Sequence, residues 1–288
     1  MKIFITFSTC FYVIKSKFDV NVYIEWMNNF FSIVKNFFLV VYTDENSSKY
    51  INTNNNPHIK VIIKPFEEFI NYQYKDFWIE NNNNRNNPLK NVDWKLNILW
   101  NEKVFFVHQS YLNNYFPKTP YYGWCDIGYF RNRKNDTNTK LLKEWPNSYK
   151  LLQLKKDKIH YSYINNKITL IKDLIKIYNN KNENETSKIK LSYDISVIAG
   201  GFFICHNTKL NWWKETYKKK LECYIKNNEF IKDDQIILID CIFSDLDKFI
   251  LHHENKINNN IILEDDLLGS NSNINKYDKW FLFQRKLM

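Results

Sequence analysis

The sequence predicts an α/β fold in which one large domain is built on a mainly parallel central sheet flanked by helices. Three observations carry this. Residues 2–14, 36–43 and 58–64 are apolar runs of strand length without alternation, as in strands covered on both faces. Other segments space their apolar residues by three or four, the period of a helix with one buried face. The order strand, helix, strand, loop, strand is that of a parallel sheet with crossover connections. A chain of 288 residues can bury a full core of this kind.

Residues 2–14 read as a buried strand that runs into a polar turn at Thr6, Phe7, Ser8 and Thr9. Asp19 caps a helix over 20–35, where Val20, Tyr23, Ile24, Met27, Phe30, Phe31 and Val34 keep helical spacing. Strand 36–43 ends at Asp44, and strand 58–64 precedes Pro65 and a short helix. An asparagine-rich loop covers 81–88. The stretch 92–115 is predicted as one amphipathic helix, ended by Pro117 and Pro120.

Residues 121–132 form the next strand, and 149–154 another strand candidate. Residues 167–178 fit either strand or helix, and 179–187 is a loop rich in Asn and Glu. Two short strands over 194–206 meet at Gly200 and Gly201, and a helix follows over 208–227. Asp233, Asp234 and Gln235 open a helix over 236–243. Strand 249–251 ends in His252 and His253, and the aromatic, basic tail 277–287 packs back on the domain. The sequence shows neither an internal repeat nor a second domain.

The net charge of +10 favours anionic partners such as nucleotides, phosphorylated glycans, nucleic acid or an acidic membrane face. The lysines are dispersed, however, and an AT-rich coding bias accounts for the Asn, Lys, Ile and Tyr content without functional pressure. No nucleic-acid-binding motif occurs in its expected context, so no nucleic-acid partner is expected. The five cysteines are odd in number, lack metal-site spacing and lie in apolar surroundings, which points to reduced thiols in an intracellular, cytoplasmic protein. No apolar run reaches the roughly 18–20 residues of a membrane helix, so no transmembrane segment is expected.

Asp126 is a lone acid in the aromatic run 121–132, and such a charge requires a partner or an ion. Four of the five glycines fall in two pairs, Gly123/Gly128 and Gly200/Gly201, which suggests two walls of one site. Thr6–Thr9, Asp44, Asp126 and His252/His253 all fall at strand carboxyl ends, where open α/β sheets bind their ligands.

The elements Leu99-Trp100-Asn101-Glu102-Lys103, Trp124-Cys125-Asp126-Ile127-Gly128-Tyr129-Phe130-Arg131 and Gly200-Gly201-Phe202-Phe203 resemble the HtrL/YibB-like proteins. Trp212-Trp213 and Asp234-Gln235 follow in the same order, so the resemblance spans nearly the whole chain; its most specific part is Trp-x-Asp-x-Gly. Those proteins are similar in layout to nucleotide-sugar-dependent glycosyltransferases of the GT-A type. The resemblance implies a GT-A-like, Rossmann-like domain acting as a hexosyltransferase-type enzyme of glycan biosynthesis. Its partners would be a nucleotide-sugar donor and a glycan or glycoconjugate acceptor. Residues 1–132 would form the nucleotide-sugar half, and 133–288 the acceptor side with the C-terminal tail.

The resemblance further implies that Asp126 stands at the donor diphosphate, with Thr6, Phe7, Ser8, Thr9, Asp44, Lys103, Trp124, Gly128 and Arg131 around the donor. Asp233 or Asp234 would act on the acceptor hydroxyl, with Gly200, Gly201, Trp212, Trp213 and Gln235 on the acceptor side. A divalent manganese or magnesium ion would stabilise the leaving diphosphate. Gly128 stands where the second metal-binding carboxylate is usual, so two arrangements remain open: Asp126 with His252 or His253, or Lys103 and Arg131 in place of the metal.

Each residue also has a structural alternative: a cap or ion pair for Asp126, helix-terminal acids for Asp233 and Asp234, core aromatics for the tryptophans, packed side chains for the histidines, and a snorkelling lysine for Lys103. The rival functions are a metal-dependent phosphoesterase or nuclease using the same acids and histidines, and a non-catalytic glycan- or anion-binding module.

Overall fold

The computed structural model of the chain describes residues 2–85, 87–89, 91–131, 142, 144–164, 168–179, 186, 196–252, 283 and 286–288. Among these, seven strands form one sheet in the order β3-β2-β1-β4-β6-β5-β7. They are β1 (Ile5–Cys10), β2 (Phe38–Thr43), β3 (Ile59–Ile63), β4 (Tyr121–Cys125), β5 (Ile159–Tyr163), β6 (Ile198–His206) and β7 (Phe249–His252). β6 runs against β4 and β5, and the remaining pairings are parallel. The α/β class and the mainly parallel sheet flanked by helices therefore stand as the sequence predicts.

Alternation along β1 explains the two layers. Ile5 and Phe7 face α1 (Val20–Ser32), where they pack with Met27, Phe30, Leu39 and Val41. Thr6, Ser8 and Cys10 face the opposite side. After the short helix α2 (Glu45–Ser48) and α3 (Lys75–Asn82), that side is covered by α4 (Lys95–Asn101) and α5 (Lys103–Asn113), together with two helices that follow β6. The polar turn expected at 6–9 is instead the body of this strand. Thr6 Oγ1 lies 3.0 Å from Thr119 Oγ1, and Ser8 Oγ lies 2.8 Å from Ser110 Oγ, so the hydroxyls are satisfied under α5 and the strand continues.

Several other expectations are corrected. The helix expected over 92–115 breaks between α4 and α5 at Glu102, which is 1% exposed. Its carboxylate accepts from Ile70 N (2.8 Å), Asn71 N (3.2 Å) and Asn71 Nδ2 (2.8 Å), supplying acceptors to the 3₁₀ segment below. Burial pushes the Glu102 carboxyl up to about 7, against the pull of those N–H groups. The strand expected at 149–154 is a short helix, Ser148–Leu152, because Asn147 Oδ1 caps Tyr149 N and Lys150 N. The strand expected over 121–132 stops at Cys125. The ambiguous stretch 167–178 is helical over Ile168–Asn179.

The expected pair of strands over 194–206 is, in its described part, the single strand β6, with both glycines inside it. Residue 194 lies outside the described residues. Within the tail 277–287 the described Phe283 and Leu287 are buried, and Asn147 N donates to Leu287 O at 2.7 Å. No described helix is long and apolar enough to cross a membrane.

Gly123 lies where β1, β4 and β6 meet. A Cβ built there would stand 2.3 Å from the backbone oxygen of Phe203 and 3.0 Å from the Phe7 ring. The Phe203 oxygen cannot give without disturbing the β4–β6 pairing, so Gly123→Ala is expected to destabilise the protein by about 3 kcal/mol. The check is urea unfolding: the midpoint should fall with an unchanged slope, and a wild-type midpoint would contradict this packing.

Candidate active site at the sheet switch point

The chain lays down β1, β2 and β3 in one direction, then returns to place β4 on the other side of β1. A reversal of this kind leaves a crevice outside the carboxyl ends of the two central strands, where open α/β sheets bind ligands. Here it holds a pocket of about 170 Å³. Its walls come from the segment after β1, the segment after β4, the adjacent helices α4 and α5, Gly200, and residues 233–235.

Asp126 is the first residue beyond β4. Its backbone N donates to Gly201 O (2.9 Å), and its Oδ1 accepts from Trp124 Nε1 (2.6 Å). Lys103 is the first residue of α5, aimed inward by the break at Glu102. Its Nζ lies 3.3 Å from Asp126 Oδ1 and 3.0 Å from Asp234 Oδ2, and donates to Gly200 O at 3.0 Å. Three acceptors thus match the three donors of one ammonium. Lys103 is 7% exposed. Burial alone would push its ammonium down, but the charges of Asp126 and Asp234 outweigh this and hold it above its usual range.

Asp234 opens the helix α9 (Asp234–Ser244), counting the short helix at 148–152 as α6, that at 168–179 as α7 and Leu210–Lys226 as α8. Burial pushes the Asp234 carboxyl up to about 7 against the attraction of Lys103, with Asp233 and Asp126 adding to the rise. Asp233 is the N-cap: its Oδ1 accepts from Gln235 N at 3.2 Å, and its Oδ2 lies 3.5 Å from Lys232 Nζ. Gly200 makes room for Asp234, since a Cβ there would stand 2.7 Å from Asp234 Oδ2.

Across the pocket, Arg131 Nε donates to Gly128 O at 2.6 Å, and its guanidinium lies 4.5 Å from the Trp26 ring centre. A Cβ on Gly128 would meet that same ring at 2.7 Å. The Lys17 ammonium sits 4.6 Å above the Trp100 ring.

Of the residues singled out in the sequence, Lys103, Trp124, Asp126, Gly128, Arg131, Gly200, Asp233, Asp234 and Gln235 line this pocket, with Gly201 bonded to Asp126 behind it. Thr6, Phe7, Ser8 and Thr9 lie within β1 and do not line it. Asp44 caps a short helix, Glu45–Ser48 (α2), through Ser47 N at 2.7 Å. Trp213 packs in the core against Phe249 (5.2 Å) and Tyr217, and Trp212 packs beside it against Phe249. Neither lines the pocket.

His252 ends β7, three strand spacings or about 14 Å from β4. Both of its ring nitrogens are engaged. Nδ1 lies 3.3 Å from Lys286 Nζ, and Nε2 lies 3.1 Å from His160 Nδ1, while His160 Nε2 faces Lys155 O at 3.1 Å. Burial holds the His252 imidazole well below its usual range, with Lys286 and His160 pushing the same way. His253 lies outside the described residues. Pocket residues with no prior signal include Ser16, Lys17 and Phe18, which follow a strand that ends at Cys10, earlier than expected, while Tyr23 comes from α1, where its helical spacing reads as packing.

The donor chemistry around Asp126 does not fit a divalent metal. Its Oδ1 and the Oδ2 of Asp234 already share the Lys103 ammonium, and no group of three or more His, Cys, Asp or Glu converges among the described residues.

No family model matches the chain, and no curated protein matches it. Among solved structures it is similar to the apo form of mouse xyloside xylosyltransferase 1, at 10% sequence identity and a TM-score of 0.39, over 86% of this chain and 84% of that one.

Removing the Lys103 charge leaves Asp126 and Asp234 facing each other in the pocket. Lys103→Met is therefore expected to lower stability by about 3–5 kcal/mol, as for other buried pairs stripped of one partner. Adding Asp234→Asn should recover part of that loss in denaturant unfolding. A double variant no more stable than the single one would contradict the ion triad.

Proposed function

We propose that the chain is a glycosyltransferase that binds a nucleotide-sugar donor in the switch-point pocket and transfers the sugar to a hydroxyl of a glycan or similar acceptor. The observation that carries this is the pairing of Asp126 at the end of β4 with Asp234 at the start of α9 through one buried lysine, at the crevice where such sheets bind ligands. The order of motifs shared with the HtrL/YibB-like proteins supports the same reading, under which residues 1–132 would form the donor half and 133–288 the acceptor side. Five free thiols, four of them buried, fit an intracellular setting.

In this mechanism the donor diphosphate lies toward the segments after β1 and β4, and the acceptor approaches from Gly200, Gly201 and Gln235. Ionised Asp234 takes the proton of the acceptor hydroxyl as its oxygen bonds to the anomeric carbon. The bond from that carbon to the diphosphate oxygen breaks, and the nucleoside diphosphate leaves with the electron pair. Lys103 holds Oδ2 of Asp234 and fixes the carboxylate in place. Asp126, through the same ammonium, keeps the charge at that corner balanced.

The experiment is a screen of nucleotide sugars, with release of nucleoside diphosphate as the readout. Turnover of a bare phosphodiester instead would favour the phosphoesterase, and glycan binding without turnover would favour the binding module. Because Asp234 is protonated below about 7, kcat/KM is expected to rise with pH through that value and level off above it. Asp234→Asn should remove that limb and cost about 10²–10⁴-fold in kcat. A flat profile across neutrality in the wild type would contradict the assignment of the base.

A further inference from the structure

We propose that this site binds a diphosphate without a divalent metal. The Lys103 ammonium stands where a cation would join the two carboxylates, and Lys17 and Arg131 receive the anion. The inference rests on the donor reading above for its substrate, but on the geometry of the pocket for its chemistry.

A diphosphate beside carboxylates is repelled unless a cation lies between them. In this pocket the cation is part of the chain. Lys103 Nζ reaches Asp126 Oδ1, Asp234 Oδ2 and Gly200 O at 3.0–3.3 Å, which uses all of its donors. A dication bridging the same two oxygens would have to expel a buried ammonium held above its usual pKa range. The chain is also barred from supplying the carboxylate that a metal site at this strand end would need next. Position 128 is glycine, and even a Cβ there would meet the Trp26 ring at 2.7 Å, so a carboxylate does not fit. His252 is about three strand spacings away and holds a hydrogen bond at each ring nitrogen.

The anion-facing cations come one from each side of the crevice. Lys17 belongs to the segment after β1 and lies over Trp100 at 4.6 Å. Arg131 belongs to the segment after β4, fixed by Gly128 O and by the Trp26 face. A planar guanidinium braced in this way suits the paired oxygens of a diphosphate. The aromatic faces under both cations limit their rotamers before any ligand arrives.

The test is isothermal titration of the full chain with manganese chloride alone, then with inorganic pyrophosphate in EDTA and again in manganese. Manganese alone is expected to give no saturable binding. Pyrophosphate is expected to bind in EDTA with an affinity within about twofold of that in manganese, and Lys17→Ala and Arg131→Gln should each weaken it about tenfold. Lys17 lies on an exposed segment, so its variant keeps the test valid if the Arg131 variant fails to fold. Saturable manganese binding lost in Asp126→Asn overturns the inference. So does pyrophosphate binding that disappears in EDTA or is absent throughout, or binding unaffected by Lys17→Ala. Metal-free pyrophosphate binding without turnover of any nucleotide sugar leaves the inference standing and removes the transferase reading. Turnover that requires manganese does the reverse.

Discussion

One buried ammonium organises the centre of this protein. Lys103 is held by two carboxylates and a carbonyl that come from three separate elements: the end of β4, the start of α9, and the first part of β6. A charge at this depth is tolerable only when all its partners are present. The surrounding fold is arranged accordingly. α4 ends at Glu102, so α5 begins with Lys103 pointing inward. β4 stops at Cys125, so Asp126 leaves the sheet with its carboxylate turned to Trp124 and Lys103. Gly200 carries no side chain, so Asp234 can close on the ammonium.

The fold class was largely legible, because both-face burial leaves continuous apolar runs that periodicity reveals. The strand boundaries were less so. Thr6 and Ser8 look like turn residues, yet their hydroxyls find partners in Thr119 and Ser110, more than a hundred positions away. The break at Glu102 was invisible for a similar reason. Its cause is the need of Ile70 and Asn71 N–H groups for an acceptor, a long-range demand that leaves the local helical spacing intact. At 149–154 the apolar pattern suggested a strand, but an Asn147 cap and position outside the sheet made a helix.

The site divides along the same line. Asp126 and Gly200 stood out as anomalies of composition, an acid in an aromatic run and a glycine in a glycine-poor chain, whereas Lys103 and Asp234 entered through the resemblance. Both anomalies meet at the Lys103 ammonium, which holds the Asp126 carboxylate and the Gly200 carbonyl. Of the two glycine pairs, Gly128 and Gly200 line the pocket, while Gly123 serves the packing of the sheet and Gly201 bonds Asp126 behind it. Lys17 and Phe18 gave no signal and Tyr23 read only as a helix-packing residue, since a lysine and aromatics in a Lys- and aromatic-rich chain are unremarked until a pocket gathers them. Trp212 and His252, by contrast, look like site residues in sequence but meet their packing and hydrogen-bonding needs within α8, β7 and the tail.

The central claim is that ligand binding occurs at the switch point between β1 and β4, on the two segments that leave those strands. Amide hydrogen exchange with and without a nucleoside diphosphate tests it most directly. Protection confined to residues 11–18, 126–131 and 233–235, with β7 and α8 unchanged, is the predicted result. Protection centred on residues 212–213 or 249–252 instead, or no change anywhere at saturating nucleotide, would contradict it.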